Sequence, residues 1–145
     1  MEIYSIGFTQ KSASEFFGRL KAHGIERLLD VRLNNTSQLA GFAKQSDLPY
    51  FLKEICGAAY EHEPLLAPTQ EILDAFKKRK GSWEVYRGAY IALLRERKAE
   101  SALSPESFRK RTVLLCSEAT AEHCHRGLAL EYLQKHWEGV IIRHI

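Results

Sequence analysis

Cysteine, proline and methionine are scarce in this 145-residue chain, which holds three, four and one of them. Three cysteines are an odd number and too few for a disulfide scaffold, so reduced thiols are the expectation and a Cys116–Cys124 bridge the alternative. No apolar stretch reaches membrane-spanning length, and Met1-Glu2-Ile3 carries no basic leader, so a cytoplasmic protein without a membrane partner is expected. There is no internal repeat, no low-complexity segment and no domain boundary. Neither charge sign dominates: 21 basic against 18 acidic residues leave +3, a weak pointer to anionic partners. With 45% hydrophobic residues, residues 1–145 suit a single domain with a buried core.

The pattern of what is present is that of an α/β protein. Glu2 to Ile6 reads as a strand, and Ser12 to Ala22 as an amphipathic helix with Phe16, Phe17 and Leu20 facing inward, capped by Ser12 or Ser14. His23-Gly24 ends that helix and Ile25 to Val31 supplies a second strand, the size of a parallel crossover unit. Arg32 to Asp47 is a long polar connection of the kind that carries function. Helices are predicted over Leu48–Ile55, Thr69–Lys80 and Trp83–Lys98, strands at Tyr60–His62, Thr112–Cys116 and Gly139–Ile145, and Glu100–Lys110 reads as a linker. The fold class is therefore a single-domain α/β architecture, a mainly parallel sheet flanked by helices.

Chemistry concentrates at Leu114-Leu115-Cys116-Ser117-Glu118-Ala119-Thr120-Ala121-Glu122-His123-Cys124-His125-Arg126, where a strand hands over to a helix predicted from Ala121 to Lys135. A helix N-terminus offers unpaired N–H groups and partial positive charge, which favour thiolates and anions. This segment resembles the family known as domain of unknown function 488. Ile3-Tyr4-Ser5-Ile6-Gly7-Phe8-Thr9 is similar to that family's opening strand and glycine turn, and Leu29-Asp30-Val31-Arg32 to its second strand ending. Leu33-Asn34-Asn35-Thr36-Ser37-Gln38-Leu39-Ala40-Gly41-Phe42 and Glu63-Pro64-Leu65-Leu66-Ala67-Pro68-Thr69 resemble one branch of it, although Phe8 stands where many members have histidine or tyrosine. The resemblance implies a small α/β fold with a polar site, and no particular activity.

In open parallel sheets ligands bind beyond the carboxyl ends of the strands. Gly7-Phe8-Thr9, Arg32 to Asn35, Pro64 to Leu66 and Cys116 to Arg126 all follow predicted strands, so they should converge on one cleft. Cys116, Glu118, Cys124 and His125 are the candidate catalytic residues: a thiolate from Cys124 or Cys116, with His125 or Glu118 in acid–base work. Thr9, Arg32, Asn35, Thr36 and Arg126 are the candidate substrate-binding residues, Arg32 oriented by Asp30 to clamp an anion. Adjacent residues on a helix diverge, so Cys124 and His125 need not touch.

Other chemistries are less well matched. Phosphatase-type loops place arginine six residues after the nucleophile, a position held here by Glu122 relative to Cys116. Zinc on Cys116, Cys124 and His123 or His125, with Glu118, lacks the short paired spacing of structural sites; no cofactor is expected, with zinc a lesser alternative. Two function classes follow. One is a thiol-dependent enzyme for an anionic or phosphate-bearing small molecule, a nucleotide among them. The other is a non-catalytic module binding such a ligand or nucleic acid, to which Lys77-Lys78-Arg79-Lys80 with Trp83 and Arg87 would contribute.

Overall fold

The computed structural model describes residues 1–36 and 38–145, with the backbone alone for 38–40; Ser37 of the long polar connection lies outside the described residues. Five strands form one sheet that is parallel throughout: β1 (Glu2–Gly7), β2 (Arg27–Asp30), β3 (Ala59–His62), β4 (Thr112–Cys116) and β5 (Ile141–His144), in the order β3-β2-β4-β1-β5. The helices are α1 (Ala13–Ala22), α2 (Leu48–Phe51), α3 (Gln70–Lys77), α4 (Trp83–Arg97), α5 (Ala99–Ala102) and α6 (His125–His136). No helix among the described residues is long and apolar enough to cross a membrane.

Every residue of β2 and β4 is buried, as expected for central parallel strands covered on both faces. Tyr4, Ile6, Leu28, Val113 and Leu115 point to one face, where Phe16, Phe17 and Leu20 of α1 and Leu48 of α2 cover them. Ile3, Leu29, Leu114 and Cys116 point to the other, against Tyr86, Tyr90 and Leu94 of α4 and Leu128, Leu130 and Leu133 of α6. The Ser12 side chain caps α1 by accepting from the Glu15 amide at 3.2 Å.

Strand order sets the position of the crevice. β1 leads through α1 to β2 on one side, while its neighbour β4 leads through α6 to β5 on the other. The chain thus leaves the carboxyl ends of β1 and β4 toward opposite faces, and the crevice lies next to this switch point, beyond the ends of the neighbouring strands β2 and β4 and against α3 and α4.

Three sequence expectations are corrected. Glu100–Lys110 is not a linker: α5 and a 3₁₀ turn at Pro105–Arg109 bury Ala99 and Phe108, the latter edge-on to Trp137. Charged neighbours masked these two apolar anchors. The helix predicted over Leu48–Ile55 is α2 followed by one wider π-type turn, Leu52–Cys56, closed by Gly57 with φ of 63°. The last helix begins at His125 rather than Ala121, because tertiary hydrogen bonds hold the carbonyls of residues 117–119 in an open loop.

That loop passes directly over β1, and Gly7 makes room for it. A Cβ at Gly7 would stand 1.5 Å from the Glu118 carbonyl oxygen and 3.1 Å from Arg126 Nη1. Relief would require moving backbone. Gly7→Ala is therefore expected to destabilise the protein by about 2 kcal/mol or more, as forced overpacking does; urea unfolding checks this, and an unchanged midpoint would mean that the loop moves freely.

Candidate functional site

The loop from Ser117 to Cys124 is fastened from several directions. Thr9 bonds the Ser117 carbonyl through its amide at 3.1 Å and its hydroxyl at 2.7 Å, and Lys11 Nζ reaches the Ala119 carbonyl at 3.3 Å. Lys77, at the end of α3, pairs with the Glu118 carboxylate at 2.8 Å, with both side chains about half exposed. His123 adopts a left-handed backbone, φ 56°, and lays its ring 4.8 Å from that of Trp83. Cys124 is extended and caps α6. Because Cys124 lies outside the helix, it and His125 turn to the same place rather than diverging.

There the chain brings four predicted residues together. Cys116 and Cys124 are joined as a disulfide, with Cα atoms 7.7 Å apart and each residue 3% exposed. Arg126 is 1% exposed and directs Nη1 to the Glu118 carbonyl at 2.7 Å, Cys124 Sγ at 3.6 Å and Cys116 Sγ at 3.8 Å, while Nε donates to Ser5 Oγ at 3.1 Å. No carboxylate is among its hydrogen-bond partners in the described residues, and burial lowers its pKa to about 10, offset only in part by the more distant Glu118 charge. A buried cation without a counter-ion in contact is costly, so an anion beside it is favoured.

Arg32 shows the opposite arrangement. Its guanidinium makes a two-pronged pair with the fully buried Asp30, Nε to Oδ1 and Nη2 to Oδ2 both at 2.8 Å, and Nη2 also donates to the Ala43 carbonyl at 2.6 Å. Tyr60 donates to Asp30 Oδ2 at 2.6 Å, and Asn35 Nδ2 to the Tyr60 hydroxyl at 3.2 Å. Burial and the Asp30 hydrogen bond push the Tyr60 phenol above its ordinary range. The charge of Arg32 is thus met within the protein, which leaves less of it for a ligand.

The crevice has a volume of about 190 Å³, and Cys116 and Cys124 are among its lining residues. This is smaller than the roughly 300–1,000 Å³ of sites for drug-sized ligands, so it suits a small group or the end of a longer molecule. Of the predicted residues, Arg32, Cys116, Glu118, Cys124 and His125 border it. Thr9 fastens the loop from outside; Asn35 is buried against Tyr60 and Thr36 is exposed, and Leu33 and Asn34 line the crevice in their place. Sequence reasoning missed the role of Lys77 at the crevice wall and that of Ser5, which holds Arg126. A serine in an otherwise apolar buried strand was the signal.

His125 is 8% exposed, and its Nε2 lies 2.7 Å from the Val31 carbonyl, which can only accept, so that nitrogen carries the proton. Burial, reinforced by the Arg126 charge, lowers its pKa to about 4. The ring is neutral at physiological pH, and the positive charge beside the sulfurs comes from Arg126 instead. A ring nitrogen of His125 and both sulfurs lie within 4.8 Å of one another, a donor set zinc could take. The Arg126 N–H group beside both sulfurs makes the place more hospitable to an anion than to a second cation.

These features define a class: a parallel α/β protein with a cysteine-lined crevice at the carboxyl ends of its strands. The family profile described as domain of unknown function DUF488 matches residues 12–133, and the chain belongs to that family. No curated protein and no solved structure matches the chain.

The depressed pKa of His125 has a stability consequence. Unfolded, the imidazole protonates near 6.5, and folded only near 4. Between those values the unfolded state holds more protons, so stability is lost as pH falls through this window and is unaffected above it. In His125→Gln the loss of unfolding free energy between pH 7 and pH 4.5 should be smaller than in wild type by roughly 2–3 kcal/mol. Equal losses by urea titration would show that His125 is not held neutral.

Proposed function

We propose that the protein is a thiol-dependent enzyme acting on an anionic or phosphate-bearing small molecule in the crevice beyond the carboxyl ends of β2 and β4. The observation that carries this reading is the buried Arg126 guanidinium, which has no carboxylate in contact and turns an N–H group toward two sulfurs at the crevice floor. When the disulfide is reduced, a thiolate is the anion within reach. At 3.6 Å and an effective dielectric of about 20 the attraction is about 5 kcal/mol, comparable with the cost of burying the thiolate. The N-terminus of the twelve-residue α6 adds to it at Cys124. Cys124 is therefore the nucleophile and Cys116 its partner. The His125 ring, held neutral, packs beside the sulfurs without competing for the anion, and the uncompensated charge of Arg126 biases the site toward anionic substrates.

The test is alkylation of the reduced protein with iodoacetamide over a pH series, resolved by peptide mass spectrometry. Cys124 should react well below the ordinary thiol value of about 8.5, and Arg126→Gln should move its reactivity upward by at least one pH unit. Inert cysteines in folded wild type would overturn the reading.

A second reading is favoured by a separate observation: Lys77, Lys78, Arg79 and Lys80 are all exposed, and Lys77 borders the crevice. The same surface would then bind nucleic acid without breaking a bond. Affinity for DNA or RNA that falls with salt and survives replacement of both cysteines by serine would support it.

A further inference from the structure

Two sulfurs at the floor of an open crevice, joined to each other and faced by a buried cation, describe a redox couple as well as a nucleophile. We propose that Cys116 and Cys124 form a reversible, oxidising disulfide that exchanges electrons with a low-molecular-weight thiol bearing anionic groups. This deepens the thiol-dependent reading and rests on it.

The direction of the couple follows from charge. In the disulfide both sulfurs are neutral, and Arg126 keeps its buried charge with only Ser5 Oγ, the Glu118 carbonyl and two weak sulfur acceptors around it. On reduction a thiolate meets that charge. An interaction present in the reduced form and absent from the oxidised one favours reduction, so the disulfide is a better oxidant than one in a neutral setting. A merely structural disulfide would gain nothing from a buried arginine aimed at it. Cys116 and Cys124, each 3% exposed, are both lining residues of the crevice, which is the side from which a thiol would approach the pair.

The exchange balances in two steps. A substrate thiolate attacks Cys124 Sγ; the new S–S bond forms as the Cys116–Cys124 bond breaks, and the electron pair leaves on Cys116 Sγ, which takes a proton. A second substrate thiolate then attacks the substrate sulfur of this mixed disulfide, and the electron pair leaves on Cys124 Sγ, where Arg126 and the start of α6 receive it. Two thiols are oxidised to one disulfide, and the protein gains two electrons and two protons, counted as the dithiol. The reverse sequence reduces a substrate disulfide.

The substrate charge follows from the charge left unpaired. Of the basic groups at the crevice, Lys77 is paired with Glu118 and Arg32 with Asp30, so the charge left without a counter-ion among the described residues is that of Arg126 beside the sulfurs. A thiol with carboxylate or phosphate groups is drawn in, and a cationic thiol is repelled.

Glutathione is the probe. Oxidised wild-type protein is equilibrated with glutathione buffers of graded ratio, quenched in acid, and the fraction of paired cysteines read by maleimide labelling and mass. The pair should pass from oxidised to reduced within the accessible range of ratios, with a protein–glutathione mixed disulfide detected on the way. In Arg126→Gln the equilibrium should shift toward the disulfide by at least tenfold in the ratio of squared glutathione to its disulfide. On wild type alone, reduction by glutathione should be at least tenfold faster than by cysteamine at equal thiolate concentration and low salt, and the gap should narrow as salt is raised.

A pair that stays oxidised at every ratio overturns the proposal, as does equal reduction by the two thiols. If the pair resists glutathione yet Cys124, once reduced by a strong dithiol, is alkylated at low pH, exchange fails and the thiol-dependent reading stands. If the reduced cysteines are inert as well, both fail.

Discussion

The charge on Arg126 is the constraint around which the site is organised. A guanidinium 1% exposed must be surrounded by acceptors, and the fold supplies one from each element that meets there: Ser5 from β1, the Glu118 carbonyl from the loop, and sulfurs from the end of β4 and the start of α6. These bonds hold the loop open and keep residues 121–124 out of the helix predicted from Ala121, and they require a glycine at position 7 beneath the loop. Charge, loop conformation and sulfur placement are parts of one arrangement.

Of the three buried arginines, Arg32 and Arg126 stand at the site and divide the work. Arg32 meets a buried carboxylate, and Asp30 in turn takes hydrogen bonds from the Arg32 guanidinium and amide and from Tyr60. This closed network braces the ends of β2 and β3, with His62 bonding the Arg32 carbonyl at 3.0 Å. Arg126 has no such partner, and the difference in compensation makes it the group that an anion, whether a thiolate or a ligand, would complete.

His125 illustrates why residue type is a poor guide to role. As an imidazole beside two cysteines it suggests an acid–base partner carrying charge, yet its depth and its bond to the Val31 carbonyl hold it neutral. Burial has moved the positive charge of the site one residue along, to a group that does not release its proton in the physiological range. Only the packing of α6 on the sheet reveals this.

Much of the architecture was legible along the chain. Period-two and unbroken apolar runs marked the five strands, Ser12 and His23-Gly24 marked helix ends, and the order of strands and helices implied a parallel sheet with its polar segments at one end. Elements carried by a few buried residues were not: Ala99 and Phe108 sit among charged neighbours that read as linker, and only contact with Trp137 reveals Phe108 as core. In the connection after β2, Leu33 and Asn34 line the crevice and Asn35 does not, because a shift of one residue changes where a side chain points and no periodicity fixes it in a loop. The sequence alone determined which strands exist and that Cys116 to Arg126 follows one of them, since local propensity and apolar periodicity are properties of neighbours in the chain. The tertiary structure alone decided that one arginine is neutralised and the other is not, because burial and counter-charge depend on residues as much as 121 positions apart.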